Sequence, residues 1–218
     1  MLLNWRVDES LLNSYLPTGV ELDRWDGDCW ASLVGFRFLD MSVKGLPALG
    51  YRNFPEINLR FYVKREIQGE LRRGVVFVQE LTPHRLVKWV ARSIYNEPYE
   101  ALPMRQTVNE SGALYEVQTD SNWQGIGVKA KGPWRKQNEM ELFITEHYWG
   151  YNTQKNNDSM EYRVEHPVWQ ARSVDLERYD LNVQGLYGNE WAETLAGKPD
   201  TMVFSDGSRV TVYSGEKI

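Results

Sequence analysis

The sequence predicts an α+β chain, mainly β, in which a curved or barrel-like antiparallel sheet is built around two or three helices. Three observations predict it. Short runs of alternating apolar residues recur between turn signals along the whole chain. Helical spacing is confined to two stretches near residues 9–16 and 83–95. The regular strand–helix alternation of a doubly wound fold is missing, and a closed or curled sheet removes the exposed edges that so many strands would otherwise leave.

The first helix is expected to start at Asp8, whose carboxylate can cap it, and to stop before Pro17-Thr18-Gly19. Leu11, Leu12, Tyr15 and Leu16 give it one apolar face. Asp26-Gly27 then carries the strongest two-residue hairpin signal, separating a strand over residues 20–25 from one over 29–38. Residues 41–53, with Gly45, Pro47 and Gly50, read as a loop, placed where it could cover a pocket beside the next strand.

That strand, residues 54–63, is the most informative segment. Ile57, Leu59, Phe61 and Val63 point one way, and Glu56, Asn58, Arg60 and Tyr62 point the other. An acceptor, an amide, a cation and a phenol in one row suit the wall of a polar cavity. They would equally suit an exposed face with cross-strand pairs.

Residues 75–81 form a further strand, after which Thr82-Pro83 supplies a cap and a favourable first helical position. The second helix runs to about Tyr95. Leu86, Val87, Val90, Ala91 and Ile94 make its apolar stripe, with Arg85, Lys88 and Arg92 off it. Beyond Pro98 short strands resume: 104–109 and 113–119 around the turn Glu110-Ser111-Gly112, then 123–131, 139–148, 162–165 and 168–176. Residues 152–159 read as a mobile polar loop, and Asp206-Gly207 as a last hairpin between 201–204 and 209–213. No internal repeat or long linker interrupts the pattern, so residues 1–218 are expected to form a single domain.

Composition narrows the function. A net charge of -5 with no basic patch argues against nucleic acid. No apolar run is long enough to span a membrane, and the first residues lack a signal-peptide pattern. A single cysteine, Cys29, permits no internal disulfide, and a cytoplasmic location is expected. The nine tryptophans and twelve tyrosines are read mainly as core fillers.

No phosphate loop, Cys-x-x-Cys pair, His-Glu-x-x-His helix or Gly-x-Ser-x-Gly elbow occurs. His84, His147 and His166 are far apart in sequence, so no metal site and no cofactor are expected. Glu56 is the candidate catalytic residue, because a carboxyl facing a partly apolar cavity holds its proton near neutrality. Alternatively, Arg60 keeps Glu56 ionised in a purely structural pair.

The order of segments is familiar. Asp8-Glu9-Ser10-Leu11-Leu12, Leu16-Pro17-Thr18-Gly19-Val20-Glu21-Leu22, Gly35-Phe36-Arg37, the Pro55-Glu56-Ile57-Asn58-Leu59-Arg60-Phe61-Tyr62 run, Ala91-Arg92 with Tyr95-Asn96-Glu97-Pro98-Tyr99, Thr145-Glu146-His147-Tyr148 and His166-Pro167-Val168-Trp169 resemble the YqjF-like uncharacterised proteins over nearly the whole chain. That family is grouped with the acetoacetate decarboxylase-like superfamily, so the resemblance implies a curved antiparallel sheet or barrel enclosing a pocket. The decarboxylase forms a Schiff base through one lysine of an adjacent pair, the second cation lowering the first amine's pKa, a case of the activated lysine. Matching Pro98 to the proline before that pair puts Tyr99 and Glu100 at the two lysine positions, and neither can form an imine. Glu56 matches a pocket glutamate and Arg92 an arginine of the following segment. The second pocket glutamate falls at Ser32, and the arginine upstream of the opening helix has no counterpart. Lys129 or Lys131 would have to supply any replacement amine.

The resulting expectation is a protein that binds a small anionic or carbonyl-bearing ligand without Schiff-base chemistry, through Glu56, Asn58, Arg60, Arg92 and Tyr99. One alternative is a lyase, hydratase or aldolase-type enzyme with Glu56 as general acid/base. The other is a non-catalytic assembly or interaction protein, in which a homo-oligomer would use the tryptophans as its interface.

Overall fold

The computed structural model describes residues 1–43, 46–47 and 51–218. Its elements follow in chain order: β1 (Leu2–Val7), α1 (Glu9–Asn13), β2 (Glu21–Leu22), β3 (Cys29–Phe38), β4 (Ser42–Val43), β5 (Leu46–Pro47), β6 (Phe54–Ile67), β7 (Glu70–Thr82), α2 (Arg85–Val90), a π-helical turn (Ala91–Tyr95), β8 (Tyr99–Ala101), β9 (Met104–Asn109), β10 (Gly112–Thr119) and β11 (Asn122–Lys136). The remainder comprises α3 (Glu139–Thr145), β12 (Trp149–Thr153), β13 (Ser159–Glu165), β14 (Gln170–Tyr179), α4 (Val183–Tyr187), α5 (Asn189–Ala192), β15 (Thr201–Ser205), β16 (Thr211–Val212) and β17 (Glu216–Lys217).

Fifteen of the strands make one sheet in the order β16-β13-β12-β7-β6-β3-β1-β15-β14-β11-β10-β9, with β17 on β13, β2 on β6 and β8 on β7, and β4 pairs with β5 in a separate two-stranded sheet. All pairings are antiparallel except those of β12 and β8 with β7. The sheet is strongly curved, so that β10 crosses the inner face of β3 and β6. Gly35 sits at that crossing. A side chain there would stand 2.7 Å from Cδ2 of Tyr115, so the halves meet only because β3 has no Cβ at this point.

The core fills the concave side. Ile57, Leu59, Phe61 and Val63 of β6 are fully buried there with Tyr115, Val117, Ile126 and Val128 from the far half. Wholly buried Trp191 and Leu195 pack into the same cluster. The predicted alternation on β6 therefore holds, but the apolar row faces the main core. In the opposite row Glu56, Asn58 and Tyr62 are also buried, and Arg60 partly so. Tyr62 on that side packs against Phe143 of α3 with ring centroids 5.3 Å apart.

Several local expectations change. Residues 139–148, expected as a strand, begin with helix α3, because Asn138 accepts from the Glu141 amide while the Glu141 carboxylate accepts from the Asn138 amide. This reciprocal capping box outweighs the β-prone Phe143-Ile144-Thr145 run. α1 keeps its Asp8 cap but ends at Asn13. The second helix is capped at His84 rather than by Thr82, and gives way to the π-helical turn at Ala91. Residues 152–159 are the end of a β12–β13 hairpin, not simply a loop. Asp26-Gly27 does turn with positive φ at both residues, yet β2 pairs with β6 and only Trp25 bridges back to Asp28. β15 pairs with β1 and β14, while Thr211–Val212 joins β13, so Asp206-Gly207 does not close a hairpin. The helices α4 and α5 were not expected, which brings the α-helices among the described residues to five. Part of the expected 41–53 loop lies outside the described residues.

Candidate functional site

The sheet register assembles the site. Asn58 on β6 pairs with Glu80 on β7, and Glu80 with Tyr99 on β8, so the three side chains stand in a row across neighbouring strands. Glu56, two residues before Asn58, shares that face. The Tyr99 hydroxyl donates to Glu56 Oε2 at 2.8 Å, and Asn58 Nδ2 donates to Glu56 Oε1 at 3.3 Å. Glu97 enters from the segment before β8, where Asn96 adopts the left-handed conformation and Pro98 holds the chain extended. Asn152 Nδ2 and the Tyr162 hydroxyl each donate to Glu97 Oε1 at 2.9 Å.

Three carboxyls are thus buried together: Glu56 is 1% exposed, Glu80 3% and Glu97 6%. Among the described residues none of them forms an ion pair. Burial is the chief cause of raised proton affinity in each. It pushes Glu56 up to about 7, against the donors Tyr99 and Asn58 and with help from the Glu97 charge. Glu97 is pushed up to about 7, and Glu80 well above the usual carboxylate range, since Glu56 and Glu97 both face it. The three share their protons, and Glu56 and Glu97 are part-protonated and part-ionised around neutral pH. Burial and the neighbouring carboxylates also drive the Tyr99 and Tyr162 phenols well above their ordinary range, so both stay hydrogen-bond donors. Asn58 Oδ1, Glu80 Oε2 and Glu97 Oε2 are buried without a hydrogen-bond partner.

Of the expected residues, Glu56, Asn58 and Tyr99 come together. Arg60 lies on the same side of β6, beyond a bulge between Leu59 and Arg60, and turns away: its Nη2 donates to the Ile144 carbonyl at 3.2 Å. Arg92 is exposed on the π-helical turn. Glu100 faces away from Tyr99 and takes two hydrogen bonds from Lys88 Nζ, at 2.7 and 2.8 Å. Lys129 is exposed, and Lys131 is half-exposed and paired with Asp175, so neither brings an amine to the carboxyls. Buried Ser32 takes no part either, since its hydroxyl bonds Asn4 and Tyr62.

Sequence reasoning missed Glu80, Glu97, Asn152 and Tyr162. Glu80 left a signal, a lone acid in the apolar run 75–81. Glu97 left little beyond its place before Pro98, and Asn152 and Tyr162 reach it only through the parallel contact of β12 with β7.

Further along the same side lies a second polar cluster. Asp23 accepts from Arg73 Nε at 2.7 Å and lies 3.2 Å from His147 Nε2. Burial alone would raise the Asp23 pKa, but the hydrogen bonds from His147 and Arg73 bring it below its ordinary value. Burial lowers that of His147, whose Nδ1 has no partner. The Asp23 contact sets the neutral imidazole with its proton on Nε2.

The fold is similar to that of acetoacetate decarboxylase-like proteins of known structure. The enduracididine biosynthesis enzyme MppR, solved with pyruvate, superposes with a TM-score of 0.62 at 16% identity, over 99% of this chain and 86% of MppR. The acetoacetate decarboxylase of Legionella pneumophila does so with a TM-score of 0.59 at 12% identity, over 99% of this chain and 80% of its own. At such identities the likeness is one of fold. The chain belongs to the DUF2071 family, described as an uncharacterized conserved protein, whose pattern matches residues 1–209. The uncharacterized protein YqjF of Bacillus subtilis is 28% identical over 180 residues, 80% of this chain and 72% of YqjF.

Proposed function

We propose that the Glu56–Glu80–Glu97 cluster binds a small carbonyl-bearing molecule and exchanges a proton with it. The observation that carries this reading is the burial of three carboxyls without a cation beside unpartnered Asn58 Oδ1, Glu80 Oε2 and Glu97 Oε2. A buried polar atom left unpaired costs about 1–3 kcal/mol, so these atoms suit a site made to receive a partner. Protonated carboxyls and the Tyr99 hydroxyl donate to a carbonyl oxygen. A free carboxylate is repelled by the same cluster unless an arginine reaches it, which favours the carbonyl over the anion as the group held at the centre.

The pyruvate bound by MppR, a keto acid, agrees with this class. Tyr99 and Glu100 carry no amine, so the reading involves no imine. A lyase, hydratase or aldolase-type reaction is the catalytic form of the proposal, favoured by the pKa of Glu56 near 7. There, ionised Glu56 takes a proton from the carbon beside the carbonyl. Tyr99 and a protonated neighbour stabilise the enolate, and Glu56 returns the proton to product.

The test is thermal unfolding of the wild type and Glu56→Gln against keto acids, hydroxy acids and aldehydes. A ligand at a hundredfold excess over its dissociation constant adds about 2.7 kcal/mol to the native state. A shift for carbonyl compounds that Glu56→Gln abolishes supports the proposal. Equal shifts in both proteins, or none for any carbonyl compound, overturn it.

A further inference from the structure

A second site, on the outer surface, carries its own chemistry. Arg85, Lys88, Trp89 and Arg92 recur at the spacing i, i+3, i+4 and i+7, which puts them on one face of α2 as it enters the π-helical turn. That face is not packed: Trp89 is 65% exposed and α2 buries no residue. It borders a depression of ≈ 440 Å³ lined by these four side chains together with Ser93, Glu100 and Ala101. Arg92 and Ser93 also line a neighbouring depression of ≈ 380 Å³, so the two adjoin as a trough divided at these residues. Such volumes suit a small molecule.

The charge of this trough is opposite to that of the chain, whose net charge is -5. Lys88 is neutralised by Glu100, and Lys217 by Asp158. Arg85, Arg92 and Lys155 form no ion pair among the described residues, which leaves a local positive excess. Ser159, 2% exposed, lines the second depression with its hydroxyl unpartnered. The Arg92 guanidinium, which forms no ion pair among the described residues although it faces the Glu100 charge, and an unused hydroxyl suit an anionic group. The uncovered Trp89 indole, three residues before Arg92 on the first depression, suits a flat ring.

We propose that this trough binds a planar aromatic ring carrying a phosphate or a carboxylate, with Arg92 on the anion and Trp89 under the ring. The site is separate from the carboxyl cluster and takes the ligand charge that the cluster repels.

Titration calorimetry of the full chain with adenosine monophosphate, 1-naphthoate, adenosine and inorganic phosphate tests it. Saturable binding of one of the two aromatic anions is expected, adenosine monophosphate alone pointing to phosphate and naphthoate alone to carboxylate. Arg92→Ala and Trp89→Ala should each weaken that binding about tenfold or more, with unfolding midpoints near the wild type. Arg37→Ala, a cation on β3, should leave it unchanged. Absence of saturable binding overturns the proposal. So does binding of adenosine or phosphate as tight as that of the aromatic anion, or binding that both Arg92→Ala and Trp89→Ala leave intact.

Discussion

The Tyr99 hydroxyl donates a 2.8 Å hydrogen bond to Glu56 Oε2 and so ties β8 to β6 across the intervening strand β7. Glu56 also accepts from Asn58 at 3.3 Å and shares a hydrogen bond with Glu80. Tyr99→Phe removes the shorter bond and leaves a buried carboxyl less well satisfied. The variant should lose about 1–3 kcal/mol of stability in urea denaturation. Its Glu56 should hold a proton to higher pH than in the wild type, since the lost donor favours the ionised form. An unchanged midpoint would show that the bond contributes nothing in solution.

The carboxyl cluster sets a pH dependence of definite sign. Glu56 and Glu97 have folded values of about 7, against 4.5 for the ordinary group. Between those values the folded chain binds more protons than the unfolded one, so stability is fully present below the unfolded value and is lost as pH rises through the folded one. The unfolding midpoint should therefore fall between about pH 5 and pH 8. Glu56→Gln, neutral at every pH, should flatten that fall and be more stable than the wild type at pH 8. Identical pH profiles for the two proteins would refute the shared protonation.

How much of this was legible in the sequence follows from which contacts are local. The alternation in residues 54–63 put Glu56 and Asn58 on one face, because strand period is a property of the segment itself, but left open whether that face is buried or exposed. Tyr99 was found through the resemblance, not through any pattern of its own. Glu80 and Glu97 were missed because their role depends on register across β6, β7 and β8, which no local pattern encodes. Arg60 was misjudged for a related reason: its guanidinium reaches the Ile144 carbonyl of α3, a contact between distant segments that strand alternation does not encode. The α3 error was avoidable, since Asn138 and Glu141 spell a capping box.

Asp23 offers a test on the neighbouring cluster. Its carboxylate faces both Arg73 and His147 and is 4% exposed. Asp23→Asn removes the charge that faces the part-exposed Arg73 guanidinium and should destabilise the fold by about 1–3 kcal/mol. The wild-type contribution is present above the ordinary Asp value of 3.8 and lost as pH falls through the lower folded value, so the difference between the two proteins should shrink in strong acid. Denaturation at pH 7 and pH 3 reads both effects.

Gly150 controls the far side of the carboxyl cluster. It lies on β12 opposite Tyr162 of β13, and a Cβ at this position would overlap the Tyr162 ring. Gly150→Ala must therefore displace the hydroxyl that donates to Glu97 Oε1 at 2.9 Å. Asn152 would remain a donor to that oxygen, and Glu97 would lose part of the support for its charge. The substitution should cost about 1–3 kcal/mol by overpacking. It should also move the pH at which stability is lost upward, since a carboxyl with fewer donors holds its proton longer. Tyr162→Phe separates the two effects. It keeps the ring in place and removes only the hydroxyl, so it should reproduce the upward pH shift without the packing loss. If Tyr162→Phe leaves the pH profile of unfolding where the wild type has it, the hydrogen bond to Glu97 does not govern the protons of the cluster.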